Sequence, residues 1–369
     1  MRIAAVILAA GLSSRMGSCK PLLPLGGCNL LGHCRSLFAG CGLTEVLVVV
    51  GHQAEDVRTE SAFLGLRTVE NPDYRTGMFS SVQRAVSVLP EDIDAFFILP
   101  VDIPLIRPAT VRRLLGDFAA GSGNILYPTF AGRRGHPPLI PAALIPAIQA
   151  HDGAGGLEAL LGRYPGREVA VWDEGILLDA DTPDDLQRLR ERQKRISIPT
   201  RQEAEALAGL LLAEPGLSHG RMVGQAAEAL ALALNARGAA LDIDAVCCGA
   251  LLHDVAKGQS RHEQRGAEMM AELDLPAIAA IVAAHKDLAV PADGRLTERE
   301  VVCLADKVIS GTRRIDLMER YAEKLRIFAG NASACRAITE RMERALALRS
   351  LVELSIGRSI DSVLDEAGL

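Results

Sequence analysis

The feature that most restricts the fold of this chain is a glycine-containing loop that directly follows an apolar run near the N-terminus. The run covers residues 3–8, and the sequence LAAGLSSRMGSCK follows over residues 8–20. A short apolar run that ends in such a loop is typical of a buried β-strand. Backbone N–H groups of the loop can bind the phosphates of a nucleoside triphosphate, while Arg15 and Lys20 supply positive charge. The predicted nucleotide-binding residues are Leu8, Ala9, Ala10, Gly11, Ser13, Ser14, Arg15 and Lys20.

The spacing of the glycines excludes the two most common phosphate-binding loops. Gly11 and Gly17 are separated by five residues, and neither G-x-x-x-x-G-K-[ST] nor G-x-G-x-x-G can be written through them. The sequence therefore disfavours a kinase or a dehydrogenase. Glycines alone are weak evidence, since many strand-to-helix turns use them. Their combination with two serines, an arginine and a lysine indicates a nucleotide-binding function.

Carboxylates that could hold a metal ion follow two strand-like segments. The run DAFFILPVD over residues 94–102 predicts a buried strand that ends near Asp102. Ligands of open α/β sheets lie at the carboxyl ends of the strands, where Asp102 could bind a divalent cation. A second ligand is expected from Asp181, with Asp179 as the alternative, after the strand-like residues 169–181. Thr182 and Asp185 have the spacing of a capping box, so the acidic residues beyond Asp181 are expected to stabilise a helix start.

Five segments in the first 190 residues resemble the molybdenum cofactor nucleotidyltransferases, within the larger family of sugar-nucleotide and polyol-phosphate nucleotidyltransferases. The segments are the loop at 8–20, NPDYRTGMFSSVQRA at 71–85, LPVDIPLI at 99–106, GHPPLIP at 135–141 and DADTPDDL at 179–186. The resemblance implies a Rossmann-like, mostly parallel sheet, with Mg²⁺ bound by Asp102 and Asp181. It also implies a substrate-binding set of Asn71, Gly77, Met78, Ser80, Ser81 and His136. From its position alone, His136 either lines the acceptor pocket or is a structural residue.

The resemblance further implies the reaction and its substrates. A terminal phosphate of the acceptor would attack the α-phosphorus of the nucleotide and release pyrophosphate, with Arg15, Lys20 and Asp102 as catalytic residues. Leu-Ala-Ala-Gly at 8–11 and Gly-His-Pro at 135–137 are similar to the cytidylyl-transferring branch, which favours CTP and a molybdopterin acceptor. A molybdoenzyme or its chaperone is an expected protein partner. The alternatives are a sugar or polyol phosphate as the acceptor, and GTP with molybdopterin.

The chain changes character after residue 186. Residues 187–200 are rich in arginine and lysine, and the spacing of Thr200 and Glu203 predicts a capping box at the start of a new helix. Beyond it, apolar residues recur at helical spacing, which predicts an all-α region. We therefore expect an α/β nucleotidyltransferase domain at residues 1–195 and a helical domain at residues 200–369.

The helical region contains a set of histidines and aspartates that resembles the HD phosphohydrolase family. The set is His219, His253, Asp254, His262, His285 and Asp306, and HDVAKG at 253–258 is its most specific part. The resemblance implies one or two divalent metals (Mn²⁺, Fe²⁺, Ni²⁺ or Mg²⁺), with Asp254 bridging them if there are two. His262 either binds metal or only begins the next helix. On a helix, Lys257 would share a face with His253 and contact a substrate phosphate; otherwise it is an ordinary exposed lysine.

The remaining observations restrict the class of protein. The net charge of −6 argues against a nucleic-acid partner, and no apolar run is long enough for a membrane span. The eight cysteines form no C-x-x-C pair, which favours a reducing, cytoplasmic location. A non-enzymatic alternative for the second domain is a sensor that binds a nucleotide without turning it over.

Overall fold

The computed structural model describes residues 1–12, 16–121 and 123–369, which form two compact units, Met1–Arg195 and Ile196–Leu369. Ser13, Ser14 and Arg15, which the sequence predicts to bind nucleotide, lie outside the described residues.

The first unit is built on a mixed, mostly parallel β-sheet. Its strands and one separate hairpin are β1 (Ile3–Ala9), β2 (Pro24–Leu25), β3 (Cys28–Asn29), β4 (Glu45–Val50), β5 (Arg67–Glu70), β6 (Ala95–Pro100), β7 (Ile125–Phe130), β8 (Arg133–Arg134), β9 (Leu139–Pro141) and β10 (Gly166–Ala170). The sheet order is β10-β7-β9-β6-β1-β4-β5, with β8 paired to β7, while β2 and β3 pair with each other. β1 is parallel to both β4 and β6, and β9 is antiparallel to its neighbours. Every residue of β1 is buried, as its apolar sequence predicts.

Helices of the first unit connect these strands. They are α1 (Leu30–Ala39), α2 (Ala54–Phe63), α3 (Met78–Val86), α4 (Pro108–Ala119), α5 (Ile145–Ala150), α6 (Gly156–Leu161) and α7 (Pro183–Lys194). The predicted capping box at the start of α7 is confirmed, since Thr182 and Asp185 exchange hydrogen bonds between side chain and backbone. Strands and helices that alternate in this way give the expected α/β, Rossmann-like fold.

The segment 169–181 is not the long strand that its apolar residues suggest. β10 ends at Ala170, and Glu174–Leu177 form a short 3₁₀ turn. The cause is Asp173, whose buried carboxylate accepts hydrogen bonds from the backbone N–H groups of Gly175 (2.9 Å) and Arg107 (2.7 Å). These bonds cap the turn, which takes the place of extended strand conformation at Glu174–Leu177. The prediction that residues 169–181 are strand-like is therefore wrong beyond Ala170.

The second unit is helical apart from one short hairpin. Its elements are α8 (Arg201–Leu211), α9 (Glu214–Asn235), α10 (Ile243–Leu252), α11 (His262–Glu272), α12 (Pro276–Ala284), α13 (Glu298–Val308), β11 (Ile309–Ser310), β12 (Arg313–Arg314), α14 (Leu317–Ile327), α15 (Ala332–Ile356) and α16 (Ile360–Glu366). The predicted capping box of Thr200 and Glu203 is present at the start of α8. Within the described residues, no helix is both long and apolar enough to cross a membrane.

A close approach of α9 and α10 fixes the centre of this unit. A Cβ atom on Gly220 would lie 2.6 Å from the carbonyl oxygen of Leu251, so only glycine permits this spacing. His219 on α9 and His253 at the end of α10 are consequently neighbours, with ring centroids 5.2 Å apart.

Candidate functional site

Two neighbouring parallel strands bring the start of the predicted nucleotide-binding loop and Asp102 to the same edge of the first sheet. Leu8 of β1 is in register with Pro100 of β6, and the N–H of Val101 donates to the carbonyl of Leu8 at 3.1 Å. The N–H of Ala180 donates to the carbonyl of Asp102 at 2.9 Å. This contact brings the second acidic segment to the same place, although it lies almost 80 positions further along the chain. Asp102 therefore lies at the carboxyl ends of the strands, where a ligand of an open α/β sheet is expected.

Lys20 joins the two acidic segments. Its Nζ lies 2.9 Å from Asp102 Oδ2 and 2.9 Å from Asp181 Oδ1. Burial by itself would lower the pKa of Lys20, but the two carboxylates outweigh it and the pKa is raised. Within the described residues, Asp181 rather than Asp179 makes this ion pair. Burial and the charges of Asp181 and Asp102 raise the pKa of Asp179.

Two cavities that share lining residues open beside this cluster. A cavity of about 270 Å³ is lined by the start of the predicted loop, by Asp102 and by residues of α3, and its lining includes Leu8, Ala9, Ala10, Gly11, Lys20, Met78, Ser81 and Asp102. A larger cavity of about 760 Å³ shares Leu8, Met78 and Pro100 with it, and Gly77 and His136 line its wall. The smaller cavity thus lies beside residues 8–11, where the predicted nucleotide-binding loop begins, and the larger cavity lies next to it.

Asn71 and Ser80, two predicted substrate-binding residues, are engaged within the protein. The buried amide of Asn71 donates to the hydroxyls of Ser80 and Ser81, both at 2.9 Å, and its oxygen accepts from the N–H of Asp73 at 3.0 Å. The Ser80 hydroxyl donates to the carbonyl of Gly77 at 2.8 Å. These contacts hold the start of α3, and with it the segment that lines both cavities. Asn71 thus positions the start of α3 without lining either cavity itself.

His136 and two residues that the sequence analysis missed form one wall of the larger cavity. Nδ1 of His136 is buried without a hydrogen-bond partner among the described residues, and burial lowers the pKa of this histidine. The Arg134 guanidinium lies 4.5 Å from the ring centroid of Tyr127, and both residues line the cavity. Arg134 directly precedes the Gly-His-Pro segment, which is the only sequence signal that could have singled it out. The wall therefore combines a cation, an aromatic face and an imidazole.

In the second unit, one group of candidate metal-binding side chains comes from α9, from the turn that follows α10, and from α13. His219 Nε2 lies 3.4 Å from Asp306 Oδ1 and 3.9 Å from Asp254 Oδ2. His253 Nε2 lies 3.5 Å from Asp254 Oδ2 and 3.6 Å from Asp306 Oδ1. All four side chains are buried, and His219, His253 and Asp254 have the mutual spacing that one metal ion requires. The structure thus brings together four residues that are up to 87 positions apart in the sequence.

The other oxygen of Asp254 faces a second group. Asp254 Oδ1 lies 3.6 Å from both His262 Nε2 and His285 Nε2, and these two nitrogens are 3.3 Å apart. His262 also begins α11, and metal binding by this residue stays a prediction. Asp254 directs one oxygen to each group, which is the geometry of a carboxylate that bridges two metal ions.

The tautomers of three histidines favour metal binding. Nδ1 lies close to a backbone carbonyl in His219 (3.0 Å), His253 (2.6 Å) and His285 (2.6 Å). A carbonyl oxygen can only accept, so each Nδ1 carries a proton, and Nε2 is the ring nitrogen that faces the carboxylates and can bind a metal ion. His253 Nε2 is buried and has no hydrogen-bond partner among the described residues. Lone pairs that converge in this way are stabilised by a cation.

Two lysines form ion pairs with the aspartates of these groups. Nζ of Lys257 lies 2.5 Å from Asp254 Oδ2, but α10 ends at Leu252 and residues 253–258 form turns. The prediction that Lys257 shares a helix face with His253 is therefore wrong, although the lysine does lie at the site. The sequence analysis missed Lys307, whose Nζ lies 2.7 Å from Asp306 Oδ2.

Electrostatics differ between the histidines. Burial would lower the pKa of His253, but Asp306 and Asp254 outweigh it and raise this pKa. Burial, together with the charge of His253, lowers the pKa of His285 to about 4. The pKa of Asp306 is well below its usual range despite burial, because of Lys307 and the two neighbouring histidines.

The fold and the two sites define an α/β nucleotidyltransferase unit that is followed by a helical unit with metal-binding side chains. Residues 5–169 match the family model of the MobA-like NTP transferase domain, and residues 216–310 match that of the HD domain. The chain belongs to the MobA-like NTP transferase family and carries an HD domain in addition.

Relatives in this family bear different names. The chain is 29% identical to the molybdenum cofactor cytidylyltransferase of Escherichia coli over 52% of this chain and 97% of that protein. It is 31% identical to nicotine blue oxidoreductase of Paenarthrobacter nicotinovorans over 51% of this chain and 96% of that protein. It is 42% identical to the bifunctional IPC transferase and DIPP synthase of Rubrobacter xylanophilus over 32% of this chain. The matched region is only 28% of that protein.

Proposed function

We propose that residues 1–195 transfer CMP from CTP to molybdopterin, giving molybdopterin cytosine dinucleotide and pyrophosphate. We further propose that residues 200–369 hydrolyse a phosphate ester. The observation that carries the first activity is the convergence of Lys20, Asp102 and Asp181 at the sheet edge where the phosphate-binding loop begins.

The reaction needs little beyond positioning and charge neutralisation. An oxygen of the acceptor's terminal phosphate forms a bond to the α-phosphorus of CTP. The bond between that phosphorus and the bridging oxygen of the β-phosphate breaks, and pyrophosphate leaves with the electron pair. The attacking phosphate is already ionised near neutral pH, so no general base is required.

The cluster also fits a hard divalent cation. The carboxylate oxygens of Asp102 and Asp181 point at a single position, and oxygen ligands are those that Mg²⁺ prefers. When bound, Mg²⁺ would neutralise negative charge on the triphosphate and on the departing pyrophosphate. Lys20 supplies a further positive charge, and the backbone at Ala10 and Gly11 lines the space for the phosphates.

Molybdopterin is favoured as the acceptor by the size and the wall of the larger cavity. At about 760 Å³ it has room for a fused-ring pterin, and Tyr127 with Arg134 offers a face on which a flat ring can stack. The cytidylyltransferase relative supports the same assignment. A molybdoenzyme or its chaperone would then receive the product. The alternatives remain a sugar or polyol phosphate as the acceptor, and GTP as the nucleotide.

Pyrophosphate release tests the transferase. Purified protein is incubated with Mg²⁺ and molybdopterin released from a molybdoenzyme, together with CTP, GTP or ATP in separate reactions. We expect release with CTP, its loss in Asp102→Ala, and its retention in the matched control Asp92→Ala, which removes an exposed carboxylate paired with Arg2. Release with sugar or polyol phosphates but not with molybdopterin would replace the acceptor. No release with any triphosphate would refute the transferase.

The hydrolase is supported by the two side-chain groups that share Asp254. One or two divalent ions, chosen among Mn²⁺, Fe²⁺, Ni²⁺ and Mg²⁺, would be held by His219, His253, His262, His285, Asp254 and Asp306. Such ions supply a bound hydroxide near neutral pH and neutralise the phosphate. Lys257, whose side chain is 62% exposed, is free to turn towards a substrate phosphate.

Hydrolysis of p-nitrophenyl phosphate and bis-p-nitrophenyl phosphate with Mn²⁺ or Ni²⁺ tests this activity. We expect turnover in the native protein and its loss in His253→Ala and Asp254→Ala, whereas the exposed control Asp293→Ala keeps it. Tight nucleotide binding without any turnover would favour a sensor instead.

A further inference from the structure

The ammonium group of Lys20 lies where the proposed transferase needs its metal ion. It is 2.9 Å from an oxygen of Asp102 and 2.9 Å from an oxygen of Asp181. A divalent cation bound by the same two oxygens would lie where this ammonium group lies, and two cations repel each other at such short range. In this arrangement the ammonium group takes the place of the metal ion between the two carboxylates.

We propose that Lys20 is an internal cation that holds Asp102 and Asp181 together, and that a divalent cation replaces it only when a nucleoside triphosphate binds. This inference rests on the proposed nucleotidyl-transfer function. The triphosphate gives the ammonium group a new anionic partner, and the vacated carboxylates then bind the metal. Metal and nucleotide consequently raise each other's affinity, as linkage requires.

The charges around Lys20 explain why a cation is held there before substrate binds. The side chains of Lys20 and Asp102 are only 13% and 22% exposed, so water screens their interaction incompletely. Asp179 lies near the same pair, and the charges of Asp181 and Asp102 contribute to its raised pKa. Removing the ammonium group would leave an acidic cluster without this counter-charge, and such a cluster attracts a metal ion.

The position of Lys20 in the chain allows the exchange without a large backbone movement. Lys20 is the first residue of the short 3₁₀ turn Lys20–Leu22 and lines the smaller cavity together with Ala10 and Gly11. A lysine side chain is long and has several rotatable bonds, so its Nζ can turn from the carboxylates to a phosphate in this cavity. Arginine would keep the charge, whereas methionine would keep most of the length and lose the charge.

Binding of Mn²⁺, followed by electron paramagnetic resonance of the free ion, tests the proposal. The full chain is used with Asp254→Ala, because Asp254 is common to both metal-binding groups of the second unit. The first-unit site is defined as the Mn²⁺ binding that Asp102→Asn abolishes. In the parent we expect weak binding of Mn²⁺ alone and strong binding with CTP. In Lys20→Met, the affinity for Mn²⁺ without CTP should rise at least about tenfold, and the enhancement by CTP should shrink.

Two controls separate this effect from a general change of charge. Lys20→Arg should behave like the parent, and Lys194→Met, which removes an exposed lysine paired with Glu191, should leave Mn²⁺ binding unchanged. Lys20→Ala provides the same comparison if Lys20→Met does not fold. Equal Mn²⁺ affinity in the parent and the uncharged variants without CTP would overturn the inference. Absence of Asp102-dependent Mn²⁺ binding even with CTP would instead overturn the proposed transferase site.

Discussion

Replacing Lys307 by methionine should destabilise the second unit strongly, because it leaves Asp306 without its nearest counter-charge. The side chains of Lys307 and Asp306 are only 9% and 11% exposed, and the ammonium group also donates to the carbonyl of His285 at 2.8 Å. Breaking one side of a buried ion pair costs about 3–5 kcal/mol. Arg320 lies 3.9 Å from Asp306 Oδ1 and compensates in part, so we expect a loss near the lower end, about 3 kcal/mol.

Urea unfolding in EDTA measures this loss, and the single tryptophan separates the two units. Trp172 lies in the first unit, so its fluorescence reports that unit, whereas circular dichroism reports the helices of both. Lys307→Met should lower the urea midpoint of the second unit, which is seen by circular dichroism, and should leave the fluorescence transition of the first unit unchanged. The double variant Asp306→Asn with Lys307→Met should recover part of the loss, since an uncharged amide needs no counter-charge. A loss below about 1 kcal/mol would refute the reasoning, because it falls in the range of exposed ion pairs.

Three further predictions concern the packing, the substrate loop and the pH dependence. Gly220→Ala should separate α9 from α10, because the new Cβ would lie 2.6 Å from Leu251 O; we expect Mn²⁺ affinity of the second unit to fall at least about tenfold, measured by titration in an Asp102→Asn background. Asn71→Ala should remove the amide that donates to the Ser80 and Ser81 hydroxyls of α3, and it should raise the KM for CTP more than it lowers kcat, in steady-state assays of pyrophosphate release. Burial lowers the pKa of His285 from 6.5 to about 4. As the pH of the metal-free protein falls, the unfolded state therefore protonates His285 at a higher pH than the folded state does. Stability is thus full above pH 6.5 and declines by about 3 kcal/mol towards pH 4, and His285→Gln should lack this part of the decline in urea titrations.

Much of the fold could be predicted because it depends on local patterns. The apolar run of β1 and the capping boxes at Thr182 and Thr200 involve residues close in sequence, and all three occur in the structure. The prediction for the segment around Asp173 was wrong because it depends on a residue far away in the sequence. Its apolar residues resemble a strand, but a buried carboxylate accepts hydrogen bonds from a helix start 66 positions away and caps a short turn. Local propensity contains no information about such a partner.

Residue types alone predict which chemistry this protein carries, whereas the positions of those residues relative to one another depend on the fold. The residue types of the phosphate-binding loop, of Asp102 and of the His253-Asp254 pair already indicate nucleotide and metal binding. Only the fold brings Lys20 to Asp181 across 161 positions, and only the fold directs the two oxygens of Asp254 to separate groups. The physical reason is that side-chain identity is encoded position by position. Distances between carboxylates, imidazoles and ammonium groups arise only when strand register and helix packing bring distant segments together.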